Sequence, residues 1–114
     1  SPADVFESRV IRAEVQERTA AGRGYFEQLK VKAPRFMNDA LTACQPVQKP
    51  GIPLKFTLVM DVQADGRVAN VAVTPVNAWT SCIAKQGGAT FKLPPPPQVE
   101  GKASYPMVIH FEIK

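Results

Sequence analysis

Residues 54–74 read LKFTLVMDVQADGRVANVAVT. Two apolar runs flank Asp65-Gly66, the strongest short-range signal for a β-hairpin. A two-residue turn at Asp65-Gly66 pairs Ala64 with Arg67, Gln63 with Val68, Val62 with Ala69, Met60 with Val71 and Leu58 with Val73. The last three pairs are wholly apolar and share one face. The other face receives Asp61 with Asn70, Val59 with Ala72 and Thr57 with Thr74. A slip of one residue would undo this sorting, so the pattern specifies two antiparallel strands with one face toward a core.

Downstream, Asn77 caps a short helix, AWTSCIAKQ, which places Trp79, Cys82, Ile83 and Gln86 on one face. Gly87 and Gly88 are expected to end it. The stretch FKLPPPPQVEG follows, with prolines at 94 to 97. Fixed φ makes such a run stiff and extended, about 3.1 Å per residue or roughly 12 Å in all. It reads as a ramp rather than as a ligand for a proline-reading domain. In the final stretch Tyr105, Met107, Ile109, Phe111 and Ile113 alternate with Pro106, Val108, His110, Glu112 and Lys114. That is a half-buried strand of period two.

Upstream, Ser1-Pro2-Ala3-Asp4 has the residues of a helix start. Val5, Phe6, Val10, Ile11 and Val15 then recur at helical spacing, with an end expected near Ala20 before Gly22 and Gly24. Tyr25, Phe26 and Leu29 open a second helical patch, which Pro34 is expected to interrupt before a new helix places Phe36, Met37, Ala40, Leu41 and Cys44 on one stripe. QPVQKPGIP is a loop.

The order predicts one α+β domain over 1–114: a helical part over 1–44, then a ββαβ part over 54–114. The short helix returns the chain across the sheet, so the last strand runs parallel to the second. It can be antiparallel only to the first, giving a three-stranded antiparallel sheet of order 2-1-3. The length, 114 residues, suits a single core.

Composition narrows the function. The net charge is +4, and the densest basic stretch is only Lys30, Lys32 and Arg35. A nucleic-acid surface wants a longer basic stripe with stacking aromatics, so nucleic-acid binding is not expected. No apolar run reaches the roughly 20 residues of a membrane span. The opening SPADVFESRV has no apolar leader region; a leader removed before Ser1 fits an exported chain. Cys44 and Cys82 form no CxxC, and with His110 as the single histidine they do not make a zinc site. Two readings stay open for them on spacing alone, free buried thiols or one disulfide. His110 has only Glu112 beside it on its strand face, which is not a catalytic constellation. No catalytic residue, metal ligand or cofactor is expected.

Phe56, Val62, the Asp65-Gly66-Arg67-Val68 turn, Asn70, Val71 and Val73, followed by a helix, a Phe-then-proline stretch and an alternating strand, resemble the C-terminal domain of TonB-type energy transducers. The resemblance covers about residues 54–114. Cys82-Ile83 in the short helix, with an upstream cysteine at a helix end, is closer to cysteine-containing envelope domains similar to the C-terminal region of the gliding-motility protein AgmX. Four prolines stand where the family has a single aromatic-x-proline element. The resemblance implies a non-catalytic periplasmic or secreted domain of a bacterial envelope. It also implies a protein partner bound as an extended segment along the edge of the last strand, at Met107, Val108, Ile109, His110 and Phe111. Each cysteine lies on the apolar stripe of its own helix and both helices must pack on the same hairpin, so a Cys44–Cys82 disulfide is expected. Gln98-Val99-Glu100-Gly101 resembles, one residue short, the QxVxG wedge of cystatins. A small secreted inhibitor or enzyme-accessory protein is accordingly the alternative from another class.

Overall fold

A computed structural model describes residues 1–51 and 54–112. Ile113 and Lys114, which the last strand was expected to include, lie outside the described residues. The elements run α1 (Pro2–Glu17), α2 (Ala20–Cys44), a 3-10 turn (Gln45–Val47), β1 (Lys55–Val62), β2 (Val68–Thr74), α3 (Ala78–Thr90) and β3 (Tyr105–Glu112). The three strands form one antiparallel sheet in the order β2-β1-β3. The α+β class and the sheet order are as the sequence predicts.

The hairpin keeps its expected register away from the turn and departs from it nearby. Leu58 faces Val73, Val59 faces Ala72 and Thr57 faces Thr74. Nearer the turn, however, Val62 faces Val68 and Asp61 faces Ala69. The expected pairs Val62–Ala69 and Asp61–Asn70 do not form. The connection is one residue longer than a two-residue turn: the Gly66 N–H donates to the Gln63 carbonyl, the Gln63 N–H donates to the Arg67 carbonyl, and Gly66 takes φ +89°. This is a type I turn closed by a left-handed glycine. The one-residue offset is absorbed at Asn70, which sits at φ 54° in a bulge of β2 opposite Met60. The two irregularities cancel, and the apolar residues return to one face.

That face carries the main core. Phe56, Leu58, Met60 and Val62 of β1, Val68 and Val73 of β2 and Tyr105 and Met107 of β3 pack with Tyr25, Leu29, Met37, Ala40 and Cys44 of α2, Trp79 and Ile83 of α3, and Phe91 and Leu93. Phe56 meets the Trp79 ring edge-on at 5.4 Å and stacks on Phe111 at 4.9 Å. Trp79 is therefore a core anchor. Its Nε1 has no hydrogen-bond partner among the described residues.

Helix boundaries differ from expectation at three places. α1 ends at Glu17, because Thr19 caps α2 by accepting the Gly22 N–H at 2.9 Å. Its inward residues are Phe6, Val10 and Ala13, while Val5, Ile11 and Val15 are exposed. α2 then runs unbroken through Pro34. The proline removes one backbone donor, but buried residues on both sides of it hold the helix in a single core. α3 continues past Gly87 and Gly88 to Thr90. Gly87 is buried where the Phe91 ring approaches to 3.4 Å from the place a Cβ would occupy, so the glycine admits the ring rather than ending the helix.

The proline run docks the α3 exit onto the hairpin. The Leu93 N–H donates to the Gly66 carbonyl at 2.9 Å, Arg67 bridges to Lys92, and the Tyr25 hydroxyl donates to the Pro94 carbonyl at 2.8 Å. A Cβ on Gly66 would lie 1.9 Å from the Leu93 carbonyl oxygen. Gly66 therefore serves the turn and the ramp together. The Cys44 and Cys82 sulfurs are bonded at 2.06 Å with Cα atoms 5.8 Å apart, tying the end of α2 to α3.

A candidate interaction groove along the third strand

Alternation along β1 puts Val59 and Asp61 on the face away from the main core. α1 covers that second face. Arg9 donates to the Asn70 carbonyl and lies 3.9 Å from Asp61, whose carboxylate also accepts from the Asn70 amide at 2.8 Å. Val59 and Ala13 are buried yet stand outside the main core cluster, as residues of a separate contact on this face should. The Asn70 bulge thus presents a backbone carbonyl that helps seat α1.

α2 lies on the opposite side, with the Tyr25 ring edge-on to Tyr105 at 5.1 Å. Between Glu17 and Ala20 the chain therefore passes from one face of the sheet to the other. It does so around β3: Ala13 and Glu17 of α1 and Gly22 and Phe26 of α2 line the same groove as Tyr105 to Phe111. Gly22 makes this passage tight, since a Cβ there would sit 1.8 Å from the Gln16 carbonyl oxygen.

The groove has a volume of about 570 Å³. Its walls are chiefly apolar: Phe26, Leu29, Phe36 and Met37 from α2, Phe91 and Leu93 from the ramp, and the β3 side chains. Every residue from Tyr105 to Phe111 borders it. Consecutive strand residues point to opposite faces, so a cavity that meets all of them runs along the strand edge. β3 pairs only with β1 among the described residues. Its other edge faces the groove.

Of the residues expected at a partner-binding edge, Met107 is buried, Val108, Ile109 and Phe111 are half-buried, and His110 is exposed. All five lie on the groove. His110 Nδ1 stands 3.1 Å from the Thr57 hydroxyl across the strand pair, a structural contact. Asp65 is held at the far hairpin turn, where the Arg67 backbone N–H and guanidinium keep its carboxyl below the usual range. Asp65, Gly66 and the disulfide do not border the groove.

Sequence reasoning missed Ala13, Glu17, Phe26 and Leu29 as groove residues. Their role depends on where two helices dock. The one local hint is Phe26, an aromatic left 41% exposed on α2 with the Lys30 ammonium 5.2 Å from its ring centroid. Among the described residues, no group of three or more His, Cys, Asp and Glu could hold a metal ion. No helix among them is long and apolar enough to cross a membrane. Comparison with protein-family models, with curated proteins and with solved structures finds no match.

Proposed function

We propose that the protein is a non-catalytic interaction domain of a bacterial cell envelope, resembling TonB C-terminal domains, that binds an extended segment of a protein partner by strand addition to β3. The observation that carries this reading is the apolar groove running along the open edge of β3. An added strand would meet unpaired backbone groups on one side and apolar side chains of α2 above it. Pro106 helps define the register. It has no N–H, and it costs the sheet no hydrogen bond only if its nitrogen points away from β1. Alternation then directs the backbone N–H and C=O of Val108 and His110 toward the groove as well. A disulfide and the lack of a membrane-spanning helix among the described residues are compatible with a periplasmic or secreted location.

The test is a titration of the isotope-labelled domain with short strand-forming peptides, followed by backbone amide shifts. Perturbations should concentrate between Met107 and Phe111. If they map instead to the exposed face of α1 or to the proline run, strand addition at β3 is wrong.

A further inference from the structure

The groove along β3 is not open at both ends. α1 leaves the second face at Ala13 and Glu17, the chain turns at Arg18 and Thr19, and α2 starts on the core face with Gly22 and Tyr25 beside Tyr105. This turn wraps the strand edge at its Tyr105 end. The Gly22 contact with the Gln16 carbonyl leaves no space between the two helices there. At the other end no such wrap occurs among the described residues. A strand lying along β3 would therefore meet a wall beside Tyr105.

Among the described residues lining the groove, Glu17 is the one acid. Glu17 lines the groove, is partly buried, and makes no salt bridge among the described residues. Arg9 is engaged with Asp61 and Asn70, and Arg23 with the Arg18 carbonyl. Lys30, the one cation lining the groove, is paired with Glu27 at 3.2 Å and lies over the Phe26 ring. Burial raises the Tyr105 hydroxyl, and the negative field of Glu17 adds to that rise, so Tyr105 stays neutral beside it.

Resting on the strand-addition reading above, we propose that the groove is blind and receives the end of an extended segment whose ammonium group, an α-amino group or a lysine, is held by Glu17. A carboxyl terminus there would meet Glu17 with like charge. A chain running through in both directions would collide with the α1–α2 turn. Cationic ends are therefore selected on electrostatic grounds, and long through-strands are excluded on steric grounds.

Three six-residue peptides of alternating valine and threonine, all amidated at the C-terminus, test this. One has a free amino terminus, one is N-acetylated, and one is N-acetylated with lysine at the first position. Affinity is read by amide shifts at Met107 to Phe111. The free-amine peptide should bind roughly tenfold more tightly than the acetylated neutral one, and Glu17→Gln should abolish the difference. Recovery of affinity by the lysine peptide would assign general ammonium recognition, and its failure would assign the α-amino group. Equal binding of the free-amine and acetylated neutral peptides at the same amides overturns the ammonium inference and leaves strand addition standing. Absence of shifts at Met107 to Phe111 with every peptide removes both. Glu17 is at the surface end of α1, and an unchanged amide spectrum of unbound Glu17→Gln establishes that the fold is intact.

Discussion

Gly66 carries two demands at one position. Its φ of +89° is disfavoured for any residue with a Cβ, and that Cβ would collide with the Leu93 carbonyl oxygen at 1.9 Å. Backbone cannot yield as a flexible side chain would. Gly66→Ala should therefore lower stability by about 2–4 kcal/mol in urea unfolding, beyond the usual cost of a left-handed alanine. A loss below about 1 kcal/mol would mean that the ramp does not rest on the turn. Neighbouring residues of β1 form a second test. Met60 is 1% exposed on the core face, and Met60→Asp would bury an unpaired charge at a cost of about 4 kcal/mol or more. Asp61 is on the other face, but it holds Arg9 and Asn70, so Asp61→Ala should cost about 1 kcal/mol rather than nothing. Equal losses from the two substitutions would contradict the face assignment.

The elements are joined by one covalent cross-link. Cys44 is fully buried at the end of α2, and Cys82 is half-buried in α3. At a sequence separation of 38, the chain-entropy treatment gives about 4 kcal/mol of stabilisation. The double substitution Cys44→Ala, Cys82→Ala should lower the free energy of unfolding by about that amount while keeping the fold. Alkylation under non-reducing denaturation, read by intact mass, should label neither cysteine in protein from an oxidising compartment. Labelling of both would contradict the bond. The helices also show how far local signals reach. Thr19 is a good cap residue, yet Gly22 and Gly24 are the stronger breakers on propensity. The structure uses Thr19 as the cap and places Gly22 inside the helix, where the adjacent α1 backbone needs the space. Pro34 is similar: its local cost is real, but residues packed from Tyr25 to Cys44 outweigh it.

Across the fold, burial leaves few ionisable groups to tune. Tyr25 and Tyr105 are the exceptions, and burial raises both; Tyr105 adds to the rise at Tyr25, and Glu17 to that at Tyr105. In the unfolded chain a tyrosine titrates near about pH 10. A raised folded value means that the unfolded chain loses its proton first. Stability is therefore full below about pH 10 and falls as pH rises beyond it. The urea midpoint should be steady between about pH 7 and 9 and lower at about pH 11, with a smaller decline in Tyr25→Phe. An unchanged midpoint at the higher pH would show that the two hydroxyls ionise freely in the folded protein.

Alternation over Phe56 to Val62 and Tyr105 to Phe111 was readable because each strand writes its two faces into adjacent residues, whereas in β2 the bulge puts Val68 on the core face and Ala69 opposite Asp61, the reverse of the expected sides. The sheet order followed from the direction in which a short helix can return the chain. The cysteine pairing followed from two apolar stripes that must share one core. Other features were not readable, because they depend on contacts between distant residues. The bulge at Asn70 exists to reconcile a three-residue turn with the core face of the same strand, and either irregularity alone would have broken the pattern. Arg9 finds Asp61 and Asn70 only once α1 is on the second face. The candidate groove belongs wholly to this second class. The residues of β3 that border it are named by the strand pattern, but its walls and its closed end arise where two helices straddle an edge. That placement is set by the sheet surface left uncovered by α2 and α3, a tertiary quantity that no local stretch of the chain encodes.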